Sequence, residues 1–197
     1  MTTATVVPDD ETRAPQAHQP HPLRWVALGL AVVAVAFLGV LATRKSAEQA
    51  ASDSPLLGKP APEVIGPGMD GSTIRLSQLR GRYVLVNFFA SWCQPCANEH
   101  DDLLRFQEAH REAGDATVLA VTFNDELPDA KRFFERRGGD WPVVADERGK
   151  VSLDFGVRAP PESFLVSPEG IVLTRIIGEV RYDGLQELLR QAEAAPQ

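Results

Sequence analysis

From residue 57 onward, hydrophobic positions recur with two periods, and these divide the chain into strands and helices. Tyr83 to Ala90 (YVLVNFFA) and Ala116 to Phe123 (ATVLAVTF) are near-continuous apolar runs rich in β-branched and aromatic residues, the pattern of central strands buried on both faces. Pro95 to Glu112 carries Leu103, Leu104, Phe106 and Ala109 on one helical stripe, with Gly114 as its stop. Leu127 to Arg137 reads as a second helix, opened by Pro128 and ended by Gly138-Gly139. Lys150 to Phe155 is a short helix. Phe164 to Ser167 and Ile171 to Ile177 form an antiparallel hairpin about Ser167-Pro168-Glu169-Gly170. Asp183 to Glu193 closes the chain as a helix with Leu185, Leu188 and Leu189 inward. Ahead of all these, LGKPAPEVIG and DGSTIRLSQLRG suggest a strand, a turn at Asp70-Gly71, a second strand and a one-turn helix from Ser77. Strand alternating with helix predicts an α/β fold with a parallel core.

The first 56 residues follow neither period. Residues 1–22 are rich in Thr, Pro and His and nearly free of large aliphatic side chains, so they bury too little to offset the entropy of ordering and read as a disordered tail. Trp25 to Thr43 (WVALGLAVVAVAFLGVLAT) is a run of 19 uncharged residues between Arg24 and Arg44-Lys45. At 1.5 Å per residue such a helix spans roughly 28 Å, close to the thickness of a bilayer's hydrocarbon layer. Residues 23–43 are therefore read as a single transmembrane anchor. A soluble core helix seldom runs five turns without a polar residue, and secretory signal cores are shorter, about 7–15 residues. Arg13 and Arg24 precede the segment and Arg44, Lys45 and Lys59 follow it, so flanking charge leaves its orientation open. Residues 44–56 read as a flexible tether, and residues 57–194 as the folded domain.

Composition narrows the chemistry. The 197 residues carry 20 Lys+Arg against 27 Asp+Glu, a formal net charge of -7, which argues against nucleic acid as a partner because that needs a concentrated basic surface. Two cysteines and four histidines build neither a disulfide-stapled miniprotein nor a multi-zinc scaffold. If the cysteines matter, they matter chemically.

Both lie in ASWCQPCANEH, residues 90–100, where a buried strand gives way to a helix. Cys93 and Cys96 are one helical turn apart, so their sulfurs can close a small disulfide and reopen without moving the fold. Cys93 falls at the helix N-terminus, where unpaired N–H groups and the helix dipole favour a thiolate. That makes Cys93 the attacking sulfur and Cys96, deeper in the helix, the resolving one. Pro95 sits in the first turn, where its missing N–H costs nothing.

Other uses of the pair fit the residues less well. Zinc needs four ligands; only His100 is near, and no second cysteine pair exists. Haem attachment needs His directly after the second cysteine, where Ala97 stands. Two structural thiols would not call for a place at a strand exit. A Cu(I) metallochaperone using Cys93, Cys96 and His100 is a sharper rival, but His100 and His110 share one helix and no later histidine completes the site. Neither a cofactor nor a metal is called for.

The stretches LVNFFASWCQPCANEH (85–100) and FGVRAPPESFLVSPEG (155–170), with LGKPAPE (57–63) in support, resemble the membrane-tethered thioredoxin-like thiol-disulfide oxidoreductases called TlpA, ResA and CcmG (DsbE), the second stretch pointing to the CcmG branch. The resemblance runs from Leu57 to about Glu193. It implies a thioredoxin-like fold: a central mixed β-sheet flanked by helices, with an N-terminal β extension and a central insertion at Asn124 to Trp141. It also implies a domain on the extracytoplasmic side, periplasmic or outer.

Several site residues are carried by that resemblance. Cys93 and Cys96 correspond to the redox-active disulfide. Ordinary thioredoxins have a buried aspartate six residues before the first cysteine; Asn87 stands there, so another group must handle the proton. Glu99, one turn after Cys96, matches the glutamate the family is thought to use as acid/base partner. A carboxylate there opposes a second negative charge on sulfur and so raises the thiols' pKa, and a pair whose thiolate is not stabilised makes a better reductant. Pro161 matches the family's cis-proline, facing the disulfide, and Pro160 departs from the pattern by lacking an N–H for a bound peptide. Glu162 is expected beside the site, where it would favour basic substrates, Trp92 on the thiol rim, and His100 on the helix surface or substrate rim. The implied activity is reduction of protein disulfides in cytochrome c maturation, with apocytochrome c as client and a membrane electron donor of CcdA or DsbD type. A general disulfide oxidase or isomerase is the alternative, set apart by a potential towards about -120 mV rather than below about -200 mV.

Overall fold

A computed structural model describes residues 54–194 and, before them, Leu30 alone, which is helical and exposed. The expected tail, the anchor and the tether up to residue 53 lie outside the described residues. Among the described residues, no helix is long and apolar enough to cross a membrane. Ser54 is buried, and its carbonyl and hydroxyl accept the backbone N–H groups of Leu57 and Leu56.

A short antiparallel pair comes first, β1 (Ile65–Pro67) and β2 (Thr73–Arg75), followed by a 3-10 turn at Leu76–Leu79. The main sheet has five strands: β3 (Tyr83–Phe89), β4 (Ala116–Thr122), β5 (Val143–Val144), β6 (Glu162–Val166) and β7 (Val172–Ile177), in the order β5-β4-β3-β6-β7. β3 pairs parallel with β4 and antiparallel with β6, so the sheet is mixed. The helices are α1 (Gln94–Arg111), α2 (Leu127–Arg137), α3 (Lys150–Phe155) and α4 (Tyr182–Ala194). β3 and β4 are buried along their whole length, as their apolar runs predict.

Because side chains alternate along a strand, β3 feeds two cores. Tyr83, Leu85 and Phe89 point to the face covered by α1, α2 and α4, packing with Cys96, Leu103, Phe106, Phe133 and Leu185. Val84, Val86 and Phe88 point to the other face, with Val64, Leu76, Val151, Phe155 and Phe164. Asn87, the polar member of β3, therefore faces α1.

The N-terminal extension partners both ends of the sheet. Gly58 and Ala61 donate to the carbonyls of Val172 and Gly170 on one side, and Ala145 donates to Pro67 on the other. Gly66 is required at that second contact, because a Cβ there would lie 2.7 Å from Val144 Cγ1. The sequence reading omitted β5, whose two residues are too few to show a period.

Candidate active site

The parallel pairing of β3 and β4 brings the loops at their C-terminal ends side by side, and the site is built there. β3 ends at Phe89 and the chain turns into α1 with Cys93 as the N-cap, in extended conformation (φ -84, ψ 108). Its sulfur accepts the backbone N–H of Cys96 at 3.1 Å, the place a Ser or Asp oxygen takes in an ordinary cap. Cys93 and Cys96 are joined as a disulfide with Cα atoms 5.3 Å apart. Pro95 occupies the first turn of α1 without loss of a hydrogen bond. On reduction, the same N–H and the helix dipole stabilise negative charge on the Cys93 sulfur.

Glu99 lies one turn further along α1 with no exposed surface. Asn87 Nδ2 donates to its Oε1 at 2.8 Å and Val180 N–H donates to its Oε2 at 2.8 Å. Burial pushes the carboxyl up to about 7, and these two hydrogen bonds, with Arg181, oppose the shift only in part, while Glu179 adds to it. A carboxyl poised near 7 exchanges protons at neutral pH.

Pro161 is buried, follows a cis peptide bond from half-buried Pro160, and precedes β6. Its carbonyl accepts Gly178 N–H at 2.9 Å. Since Phe88 pairs with Glu162, Pro161 stands at the same end of the sheet as the disulfide. Trp92 is 61% exposed on the rim, its indole N–H donating to the Asn124 carbonyl at 3.1 Å.

Two expectations are corrected. Glu162 is not beside the thiols: opposite Phe88, it points to the other face of the sheet, buried and held by Arg175 at 2.8 Å. Its Oε1 also accepts the N–H of Arg158, so it steadies the loop before Pro160 instead of meeting substrate. His100 is not on a surface or rim but 2% exposed, packed among Phe133, Phe134 and Trp141, with Nε2 at 3.0 Å from the Gly138 carbonyl. Desolvation lowers its pKa from the usual 6.5. It joins α1 to α2, a contact invisible before the insertion's packing is known.

Sequence reasoning missed Asp125. Its carboxylate accepts Ser91 N–H at 2.6 Å and Ser91 Oγ–H at 2.9 Å, fixing the turn that leads into Cys93. Asn124 before it adopts φ +46, which asparagine tolerates better than most residues. The signal was the adjacency of two parallel strands, whose following loops must meet. Among the described residues, no three His, Cys, Asp or Glu side chains converge on a point where a metal ion could sit.

A bridged cysteine pair at a helix N-terminus, on a mixed sheet with a cis-proline at the same end, defines a thioredoxin-fold thiol-disulfide oxidoreductase. The chain belongs to the Redoxin family, whose model matches residues 56–189. It is 30% identical over 135 residues to the thiol-disulfide oxidoreductase ResA of Bacillus anthracis, covering 68% of this chain and 78% of that one. It is 35% identical over 130 residues to the thiol:disulfide interchange protein DsbE of Allochromatium vinosum, covering 64% and 70%. Among solved structures, a putative DsbE from Chlorobium tepidum superposes with a TM-score of 0.64 at 30% identity, over 69% of this chain and 96% of that one.

Proposed function

We propose that this oxidoreductase works as a reductant of protein disulfides on the extracytoplasmic side of a membrane, held there by residues 23–43, and that its clients are the haem-site cysteines of apocytochrome c. The observation that carries the reductive direction is Glu99, a buried carboxyl one turn from Cys96 with no cation bonded to it. Its negative charge opposes a thiolate, so the reduced pair lacks the thiolate stabilisation that turns a dithiol into an oxidant, and giving electrons away is favoured.

The reaction begins from the reduced pair. Cys93 thiolate attacks one sulfur of the client disulfide, forming a mixed disulfide and releasing the other client sulfur as a thiolate. Glu99 takes the proton of the Cys96 thiol, and the new thiolate attacks Cys93 Sγ. That closes the Cys93–Cys96 bond, the form described above, and frees the second client sulfur. Two electrons have passed to the client, and a dithiol donor of the CcdA or DsbD type in the membrane must return them. Pro161 and the loop before it present the client, Trp92 contributes an exposed aromatic surface, and Pro160 offers a carbonyl but no N–H, so backbone pairing there is one-sided.

The test is a trap. Cys96→Ser should hold its client as a mixed disulfide through Cys93 when the full chain is expressed in membranes assembling c-type cytochromes. Mass spectrometry should then identify apocytochrome c. Adducts only with unrelated secreted proteins would replace this reading with the oxidase or isomerase one.

A further inference from the structure

The carboxyl of Glu99 has two supports, and both lead to the cis-proline strand. The first runs through Asn87. Its Nδ2 has two hydrogens, one given to Glu99 Oε1 at 2.8 Å and the other to Ser163 Oγ at 2.9 Å, two residues beyond Pro161 on β6. The second runs through Val180, whose N–H holds Oε2, in a segment whose Gly178 N–H is bound to the Pro161 carbonyl. Glu99 and Ser163 have no exposed surface and Asn87 has 2%, so water does not substitute for these partners.

The supports also set a direction. Asn87 Nδ2 and Val180 N give hydrogens and have no lone pair to offer, so neither can take the carboxyl's proton. Side chains on an α-helix lean over the preceding turn, toward its N-terminus, and the residue there is Cys96. We propose that Asn87 is a positioning residue, its amide anchored on Ser163 so as to hold Glu99 with its free lone pairs toward the Cys96 sulfur. An aspartate in that place, ionised, would be an acceptor only and would compete with Glu99 for the same proton. Asparagine makes position 87 a donor and leaves Glu99 as the single buried carboxyl of this face among the described residues.

The charged groups facing Glu99 are Glu179 and Arg181, from the segment before α4; β3 and β6 present only neutral Asn87 and Ser163. The inference rests on Glu99 as proton partner, and the experiment separates the two ideas. Full-length wild type, Glu99→Gln, Asn87→Leu and the double variant are compared for the pH profile of disulfide reduction. Leucine is close to asparagine in shape and lacks the donor.

Asn87→Leu should move the inflection near 7 upward by about one unit, which lowers the ionised fraction at pH 7, and hence the rate, about fivefold. In the Glu99→Gln background the same change should leave the profile where Glu99→Gln put it. Ser163→Ala, a smaller perturbation acting only through the amide, should shift the inflection the same way by less, and it serves if Asn87→Leu does not fold. An inflection that survives in Glu99→Gln overturns the role of Glu99 and this inference with it. An inflection lost in Glu99→Gln but unmoved by Asn87→Leu or, if that variant does not fold, by Ser163→Ala overturns the role of Asn87 alone.

Discussion

Among the described residues, the two faces of the central sheet each bury one glutamate, and the pair makes a controlled contrast. Glu162 and Glu99 have 2% and no exposed surface. Glu162 meets a guanidinium, with Arg175 Nε and Nη2 both bonded to its carboxylate. Glu99 meets an amide and a backbone N–H, and neither carries charge. Burial is thus common to both, and the partner decides the use: a paired carboxylate holds a loop in place, whereas an unpaired one exchanges a proton at neutral pH.

The largest effect should come from breaking the paired side. Arg175→Ala leaves a buried carboxylate without its cation and should destabilise the domain by about 3–5 kcal/mol, read by urea denaturation at pH 8 with the disulfide intact. A loss below about 1 kcal/mol would dissolve the contrast.

The unpaired side should show itself in the pH dependence of stability. Glu99 is raised from 4.5 to about 7, so between those values the folded chain keeps a proton that the unfolded chain has released. Stability therefore falls as pH rises through that window, by on the order of 3 kcal/mol, and is flat above it. His100 acts in the opposite sense: its pKa is lowered from 6.5, so stability is lost as pH falls below that value. The measurement is accordingly the difference between wild type and Glu99→Gln, which should carry the Glu99 slope alone. If that difference is flat from pH 4.5 to 7, the carboxyl is not protonated in the fold.

The same substitution should slow disulfide reduction near neutral pH by about a hundredfold, the lower range for loss of a general acid–base group. Trp92→Ala should do least: exposed on the rim, it should change stability by no more than about 0.5 kcal/mol. It should raise KM for a protein disulfide while leaving a small aromatic disulfide unaffected; an equal effect on both would place Trp92 in the chemistry.

Much of this was legible before the fold. The runs at 83–90 and 116–123 announce buried strands because neither has room for a polar face, and the cysteine spacing announces the dithiol. What escaped depended on pairing register. That Glu162 turns away from the sulfurs while Ser163 turns toward them follows from Phe88 and Asn87 standing opposite, and no local period reveals which of two neighbours faces inward. The burial of Glu99 and His100 arises from elements far along the chain, the Val180 segment and α2. β5 is fixed by its neighbour β4 and by the bridge from Val144 to Gly68, just past β1, more than by its own two residues.

One feature of the helix start reaches beyond the site. The Cys93 sulfur is also the cap of an 18-residue helix, so electron transfer and unfolding share a thermodynamic cycle. Any substitution that steadies the reduced cap more than the bridged one makes the protein a weaker electron donor by the same free energy, about 30 mV for each 1.4 kcal/mol. The difference in melting between the dithiol and disulfide forms thereby becomes a gauge of how strongly folding itself sets the direction of exchange.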